Sequence, residues 1–194
     1  PDEVTKYSEK HDDVCANPHT QSLPRWEREA KPFSLQGEGW GGGNREKLVL
    51  VAMGGIDYRL PMEHWPHIPG VRWLIPQAWN IQRDDMIDLE SLGMSFNDVL
   101  ASVDAVLTKP GYGTFAEAAG AGVPVLYVSR GDWPEQPYLV DWLREHGVCR
   151  EVTAEQLQRG DLSIGLEQLW DQPKPDVPGA RGAAEAATIL ARYF

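Results

Sequence analysis

The chain has 194 residues, enough for one large domain with its own hydrophobic core. Hydrophobic residues make up 42% and charged residues 24%, which excludes collagen-like, fully disordered and coiled-coil proteins. The net charge is -11, because 29 acidic residues outnumber 18 Lys and Arg, and this argues against a nucleic-acid-binding or anionic-membrane surface.

Two features indicate the compartment. Cys15 and Cys149 are too few and too far apart for a disulfide framework, so both are expected as free thiols in a reducing compartment. The chain begins at Pro1 without a basic segment followed by an apolar one, so no signal peptide is predicted and a cytoplasmic location is expected. The missing initiator Met indicates processing, truncation or a piece of a longer protein.

The first 46 residues differ from the rest. About a quarter are hydrophobic, and neither helical nor strand periodicity is sustained. Gly37–Gly42 fits the dinucleotide pattern G-x-G-x-x-G, but no strand precedes it and no helix follows, so it is interpreted as linker sequence. We interpret residues 1–46 as an irregular arm, a linker or the remnant of a preceding domain, and residues 47–194 as one folded domain.

From residue 47 onward, short apolar segments alternate with helical patterns. Strands are predicted at 47–53, 71–75, 104–108, 123–128 and 148–152. Helices are predicted at 84–103, 114–121, 135–146, 153–158, 161–170 and, in an Ala-rich packing segment, 180–193. This alternation predicts an α/β fold with a Rossmann-like, doubly wound, mostly parallel sheet. Ligands of such sheets bind beyond the carboxyl ends of the strands, which points to the loops 53–57, 76–80, 108–114 and 129–136.

The strongest candidate for chemistry is the segment Lys109–Glu117, which joins a predicted buried strand to a predicted helix. Gly111 and Gly113 allow a tight turn, and the N–H groups at the start of a helix suit a phosphate or diphosphate. Lys109 adds positive charge, and Thr114 can cap the helix or donate its hydroxyl to the same anion. Glu117 can accept two hydrogen bonds from a ribose diol. The alternative is a glycine-rich turn without a ligand.

The second candidate is the segment Ser129–Gln136, which follows the next strand. Its polar groups can hold sugar hydroxyls, and Trp133, like Trp79 in an earlier loop, can stack on a base or a sugar. The alternative is an ordinary helix start in which Glu135 complements the helix dipole.

Together these segments resemble the donor-binding half of GT-B glycosyltransferases. The resemblance rests on Pro76-Gln77, the Gly111–Glu117 turn, Gly122-Val-Pro and Glu135-Gln136. It covers residues 47–194 and is densest from 95 to 147. The sequences Lys-Pro-Gly-Tyr-Gly and Ser-Arg-Gly-Asp are most similar to the sugar-transferase-like proteins related to the N-terminal half of plant arabinokinases.

The resemblance implies a nucleotide-sugar site, with a UDP-sugar as the expected donor substrate and with no metal and no cofactor. Glu117 matches the acidic residue that holds the ribose, and Gln77 matches the loop beside the base. Glu135 and Gln136 match the pair that touches the sugar, with Asp132 as the alternative to Glu135 because this interval is longer than in the plant-type motif. Arg130 belongs to the same donor-binding segment. The diphosphate is matched by Gly54, Gly55, Lys109, Gly111, Tyr112, Gly113 and Thr114.

The resemblance also implies that this chain lacks the acceptor-binding half of a GT-B enzyme. GT-B enzymes react in a cleft between two Rossmann-like halves, and the acceptor pocket and the usual general base come from the N-terminal half. The residues before the first strand are too few for that half, so the base is expected in an absent N-terminal half or a partner chain. An exposed cleft also favours a homodimer through that face.

The expected function is therefore nucleotide-sugar binding as the donor half of a glycosyltransferase, and the catalytic residues remain unknown. Two alternatives stay open: a non-catalytic nucleotide-sugar-binding or interaction module, and a nucleotide-sugar epimerase of the same fold. Metal binding is not predicted, although His11, Cys15 and His19 have a suitable spacing, because a proline interrupts that segment. His64 and His67 lack further ligands of fixed geometry.

Overall fold

A parallel sheet forms the centre of the fold in a computed structural model that describes residues 45–54, 58–131, 133–173, 176–179 and 182–193. All of these residues belong to one compact unit. The predicted irregular arm lies outside the described residues except for Arg45 and Glu46, and so do Gly55 and Asp132. The strands are β1 (Lys47–Ala52), β2 (Val71–Ile75), β3 (Met86–Asp88), β4 (Ala105–Thr108), β5 (Val125–Val128) and β6 (Cys149–Val152). The helices are α1 (Phe96–Leu100), α2 (Tyr112–Ala121), α3 (Gln136–His146), α4 (Ala154–Arg159), α5 (Ser163–Trp170) and α6 (Gly182–Leu190), and 3-10 turns occupy Met62–His64, Gln77–Trp79 and Leu89–Leu92.

The six strands pair in the order β3-β2-β1-β4-β5-β6, and every pairing is parallel. This is the strand order of a Rossmann-like fold, so the predicted fold class is confirmed. The direction of the strand order reverses between β1 and β4, which pair from Val49 and Ala105 to Ala52 and Thr108. Their carboxyl ends therefore flank the crevice at which sheets of this kind bind ligands.

The core lies on both faces of the sheet, which explains why β1 is an uninterrupted apolar run. Val49 and Val51 face one side and Leu50 the other, and none of the three is more than 1% exposed. The first face is covered by residues 60–65 and by α4 and α5, and the second by α1, α2 and α3. Each fully buried Val or Leu side chain contributes about 1.5–3 kcal/mol, so this sheet is a rigid base for the loops at its carboxyl edge.

The predicted helix at 84–103 is confirmed only at residues 96–100, and the sheet has one strand more than predicted. Residues 86–88 form β3, in which Met86 lies opposite Trp73 of β2. A 3-10 turn follows and ends at Gly93, whose φ of 60° lies in the left-handed region. Helix α1 then begins after Ser95, because the Ser95 hydroxyl accepts a hydrogen bond from the N–H of Asp98 at 3.2 Å. Phe96, Val99 and Leu100, which have helical spacing, therefore belong to the short helix α1, whereas the residues at 86–88 belong to β3.

The remaining predicted elements are present, with ends within two residues for all but the last helix. Every residue of α6 is exposed, so the predicted packing role of this Ala-rich helix is not seen in the described chain. None of the helices in the described ranges is long and apolar enough to cross a bilayer.

A buried ion pair anchors the segment between β2 and β3. The Arg83 guanidinium donates to both carboxylate oxygens of Asp85, from Nε at 2.9 Å and from Nη2 at 2.7 Å. Its Nη1 donates to the carbonyls of Met62 at 2.8 Å and Trp65 at 2.7 Å. The two charged side chains are only 12% and 10% exposed, so each depends on the other for its charge balance.

Three groups of metal-ligand type, His67, Asp84 and Asp85, also lie close together near this pair. His67 Nδ1 is 3.4 Å from an Asp85 oxygen and 3.9 Å from an Asp84 oxygen. Both Asp85 oxygens already accept hydrogen bonds from the Arg83 guanidinium, so a metal ion would compete with a cation in place. We therefore assign the cluster a structural role.

A close approach between Gly160 and Trp65 gives a stability prediction. The φ of Gly160 is +72°, and a Cβ built there would lie 2.4 Å from Trp65 Cγ. We expect Gly160→Ala to lower the free energy of unfolding by about 2–5 kcal/mol, because the left-handed backbone costs about 1–2 kcal/mol and overpacking about 1–3 kcal/mol. Urea unfolding measures this loss.

The matched control is Gly93→Ala, at a position with a φ of +60° and no atom within 4 Å of the added Cβ. Gly93→Ala is expected to lower the free energy of unfolding only by the cost of the left-handed backbone, about 1–2 kcal/mol. Equal losses in the two variants would contradict the close packing of Gly160 against Trp65.

Candidate functional site

Thr108 holds the carboxyl ends of β1 and β4 together. Its hydroxyl donates a hydrogen bond to the carbonyl oxygen of Ala52 at 2.6 Å, and the side chain is almost fully buried. Beyond this bond the segments that follow β1 and β4 separate. One turns at Gly54, whose φ of +71° is in the left-handed region, and the other continues through Lys109 to Gly111. The two segments therefore flank the position at which parallel sheets of this kind bind ligands.

The Lys109 side chain reaches across this crevice to the end of β1. A Cβ at Gly54 would lie 3.5 Å from Lys109 Cε and 3.8 Å from Nζ, so the glycine leaves room for the ammonium group. Burial, and then the positive charge of Arg130, lower the pKa of Lys109 below its ordinary value of 10.5. An environment that disfavours the charge of Lys109 without a ligand is suited to an anion, which would restore the charge balance.

Helix α2 points its amino end at the same crevice. Its N-cap is Gly111, and its first hydrogen bond runs from the N–H of Phe115 to the Gly111 carbonyl at 3.1 Å. The N–H groups of Tyr112, Gly113 and Thr114 precede this bond and lie at the positive end of the helix dipole. The prediction that Thr114 caps the helix is wrong, because the helix begins two residues earlier. The phosphate position at this helix start stays a prediction.

A cavity of about 420 Å³ opens beside the start of α2. Tyr58, Trp79 and Phe96 contribute aromatic walls, and Thr114 contributes a hydroxyl at the α2 end. The volume is within the usual range for small-molecule sites, and flat aromatic walls suit a planar ring such as a nucleobase. We call this the base cavity. Its lining residues are Val51, Ala52, Met53, Gly54, Tyr58, Pro76, Trp79, Leu89, Phe96 and Thr114.

Sequence reasoning found part of this cavity. Trp79 lies on it as predicted, while Gln77 is exposed beside it and its backbone N–H donates to a Glu90 carboxylate oxygen at 2.7 Å. Tyr58 and Phe96 were missed. Tyr58 lies in a loop without periodicity, and the helical spacing around Phe96 indicated a core residue, although Phe96 is 39% exposed.

Gln136 shapes the loop after β5. Its Oε1 accepts a hydrogen bond from the Arg130 N–H at 2.7 Å, and its Nε2 donates to the Ser129 hydroxyl at 2.8 Å. The Ser129 hydroxyl in turn donates to Glu151 on β6. An amide has a second N–H and a second lone pair, so these bonds leave capacity for a ligand. The predicted contact of Gln136 with a sugar stays a prediction.

Four side chains connect this loop to the start of α2. The Tyr112 hydroxyl donates to Glu135 Oε2 at 2.6 Å, and the Tyr112 ring meets the Trp133 ring edge-on at 5.7 Å. The Arg130 guanidinium lies 4.8 Å from the centre of the Trp133 ring. The hydrogen bond to Glu135 raises the pKa of Tyr112. We call Tyr112, Arg130, Trp133 and Glu135 the bridging cluster.

Glu117 is exposed on α2, one turn after Gly113 and Thr114 on the same side of the helix. Phe115 and Ala118 instead face the core and are fully buried. Glu117 is therefore accessible near the phosphate position, and its role towards a ribose stays a prediction.

Comparisons with known proteins bear on the fold. No family model matches the chain. An L-arabinokinase from Arabidopsis thaliana is 32% identical over 93 residues, which are 48% of this chain and 9% of that protein. The crystal structure of the glycotransferase of kitacinnamycin matches with a TM-score of 0.50 and 19% identity, over 82% of this chain and 42% of that one. The glycosyltransferase SnogD from Streptomyces nogalater matches with a TM-score of 0.44 and 16% identity, over 78% of this chain and 45% of that one.

The chain therefore has a glycosyltransferase-like fold, and its resemblance to GT-B glycosyltransferases is confirmed at the level of fold. It spans less than half the length of the glycosyltransferases that it matches. Its ligand and its activity are therefore proposed from the residues of this chain.

Proposed function

We propose that the chain binds a nucleoside-diphosphate sugar, with a UDP-sugar as the donor, as the donor half of a glycosyltransferase. The observation that carries this proposal is the Lys109 ammonium group above Gly54, at the amino end of α2 and beside the base cavity. Two cations, Lys109 and Arg130, lie near each other here in a chain whose net charge is -11. Like charges placed together at a helix start favour a ligand with more than one negative charge.

The diphosphate belongs at the start of α2. There the first N–H groups of the helix donate to phosphate oxygens, and Lys109 contributes a charge from the opposite side of the crevice. In sugar transfer the acceptor oxygen forms a bond to the anomeric carbon while the bond between that carbon and the β-phosphate oxygen breaks, and the electron pair of the broken bond leaves with UDP. The helix dipole and Lys109 stabilise that negative charge, which is their chemical contribution. The acceptor hydroxyl loses its proton to a base that the absent half or a partner chain supplies.

The order of the strands indicates where the other parts of the ligand bind. The base cavity lies at β1 and β2, the start of α2 follows β4, and the bridging cluster follows β5. A nucleotide with its base in this cavity and its diphosphate at α2 therefore directs its sugar towards Glu135. The ribose lies between base and diphosphate, within the region of Glu117.

Glu117 gives the test of ligand orientation. The parent protein is expected to bind UDP about tenfold more tightly than 2′-deoxy-UDP, because a hydrogen bond to a charged group contributes about 1.5–3 kcal/mol. Glu117→Ala removes that preference, which isothermal titration calorimetry measures for both nucleotides. Glu167→Ala, an exposed carboxylate on α5, is the control and keeps the preference. A preference that survives in Glu117→Ala contradicts the ribose assignment.

A further inference from the structure

We propose that Tyr112 is a positioning residue for sugar selection, whose hydroxyl holds the Glu135 carboxylate in the direction of the donor sugar. This inference rests on the proposed function, because it requires a diphosphate at the start of α2. It identifies a way in which the protein selects the donor sugar. The residue that begins the proposed phosphate-binding helix also orients the carboxylate that follows β5.

The position of Tyr112 makes this coupling direct. It is the first residue of α2, so its backbone N–H lies at the phosphate position while its side chain extends towards α3. Its ring is 59% exposed and is not part of the core. The hydroxyl reaches Glu135, 23 positions along the chain, at 2.6 Å. A sugar attached to a diphosphate at this helix start therefore lies near this hydrogen bond.

The Glu135 carboxylate is available for this role. Glu135 is the N-cap of α3, yet its side chain makes no capping hydrogen bond to that helix. One oxygen, Oε2, accepts the Tyr112 hydroxyl, which leaves Oε1 as an acceptor for a sugar hydroxyl. Holding an exposed glutamate in one orientation before the ligand arrives lowers the entropy cost of binding.

The ring of Tyr112 is held independently of its hydroxyl. It packs edge-on against Trp133 with an interplanar angle of 89°, and Trp133 also carries the Arg130 guanidinium. Loss of the hydroxyl alone is therefore expected to release Glu135 without displacing the ring. Since the oriented group is a hydrogen-bond acceptor, it selects donor sugars that present a hydroxyl at this position over those that lack one.

Calorimetry on the full chain tests this, with UDP, UDP-glucose, UDP-galactose and UDP-xylose as ligands. The readout is the ratio of the Kd for UDP to the Kd for the UDP-sugar that the parent binds most tightly. Tyr112→Phe is expected to lower this ratio about fivefold, the effect of losing one hydrogen bond. Glu135→Ala lowers it at least as much, and the double variant loses no more than Glu135→Ala alone, because Tyr112 acts through Glu135.

The matched control is Tyr138→Phe on α3, a tyrosine that is 79% exposed, and it keeps the parent's ratio. A ratio that is unchanged or raised in Tyr112→Phe, losses that add in the double variant, or a parent that binds no UDP-sugar more tightly than UDP overturns the inference alone. A parent that does not bind UDP overturns the proposed function and this inference with it.

Discussion

Replacing Lys109 by Met is expected to lower the affinity for UDP about 10- to 100-fold, because an interaction with a charged partner contributes about 1.5–3 kcal/mol. The ammonium group lies above Gly54 at the amino end of α2, where it faces the proposed diphosphate. Calorimetric titration with UDP measures the loss. Lys47→Met is the control, since Lys47 lies at the opposite end of β1 and is expected to leave UDP binding unchanged. Unchanged UDP affinity in Lys109→Met contradicts the placement of the diphosphate.

The same substitution is expected to raise the melting temperature of the ligand-free protein at pH 7. The pKa of Lys109 is lowered in the folded chain, first by burial and then by Arg130, so the unfolded chain binds this proton more tightly. The charge of Lys109 therefore opposes folding at neutral pH, and its penalty disappears as the pH rises through the folded pKa to the ordinary value of 10.5. The advantage of Lys109→Met should accordingly shrink towards that pH. A residue that costs stability and binds a ligand is typical of a functional site.

Replacing Arg83 by Met is expected to lower the free energy of unfolding by about 3–5 kcal/mol. The substitution leaves the Asp85 carboxylate nearly buried without its partner, and it removes a donor from the carbonyls of Met62 and Trp65. For a chain of this length the loss corresponds to a drop in melting temperature of about 6–20 °C. Denaturant unfolding and thermal scans of the ligand-free protein measure both quantities.

Two further variants isolate the cause. Arg144→Met breaks an exposed pair with Asp141 and is expected to cost less than about 1 kcal/mol. The double variant Arg83→Met/Asp85→Leu is expected to recover part of the loss, because no unpaired charge stays buried. A loss for Arg83→Met as small as that for Arg144→Met would show that this ion pair does not anchor the segment that carries Trp79.

Most strands could be predicted because their apolar runs are buried on both faces of the sheet. β2 matches its predicted residues at both ends, whereas β3, with three residues, is too short to show a pattern of its own. The start of α2 was placed at Thr114, just after Gly111 and Gly113, but the helix already begins after Gly111. Sequence patterns within one segment identify such elements, whereas the order in which the strands pair is seen only in the folded structure.

The candidate site was likewise predicted only in part from the sequence. Lys109 and the turn after it were found from the glycines and the charge that follow a buried strand. The contact between Tyr112 and Glu135 was not found, because it joins the starts of two helices, whose distance depends on how β4 and β5 pair. Tyr58 and Phe96 become site residues only when the ends of β1 and α1 are brought together beside Trp79.

Thermal unfolding of the full chain with UDP, a set of UDP-sugars, TDP, ADP and NAD tests the proposed nucleotide-sugar site. A ligand that binds only the folded state raises its stability by about 2.7 kcal/mol at a hundredfold excess over Kd. A nucleotide-sugar site predicts a selective rise in melting temperature with UDP or one UDP-sugar, about 5–11 °C for a chain of this length. No rise with any uridine nucleotide, or a selective rise with NAD, would contradict it.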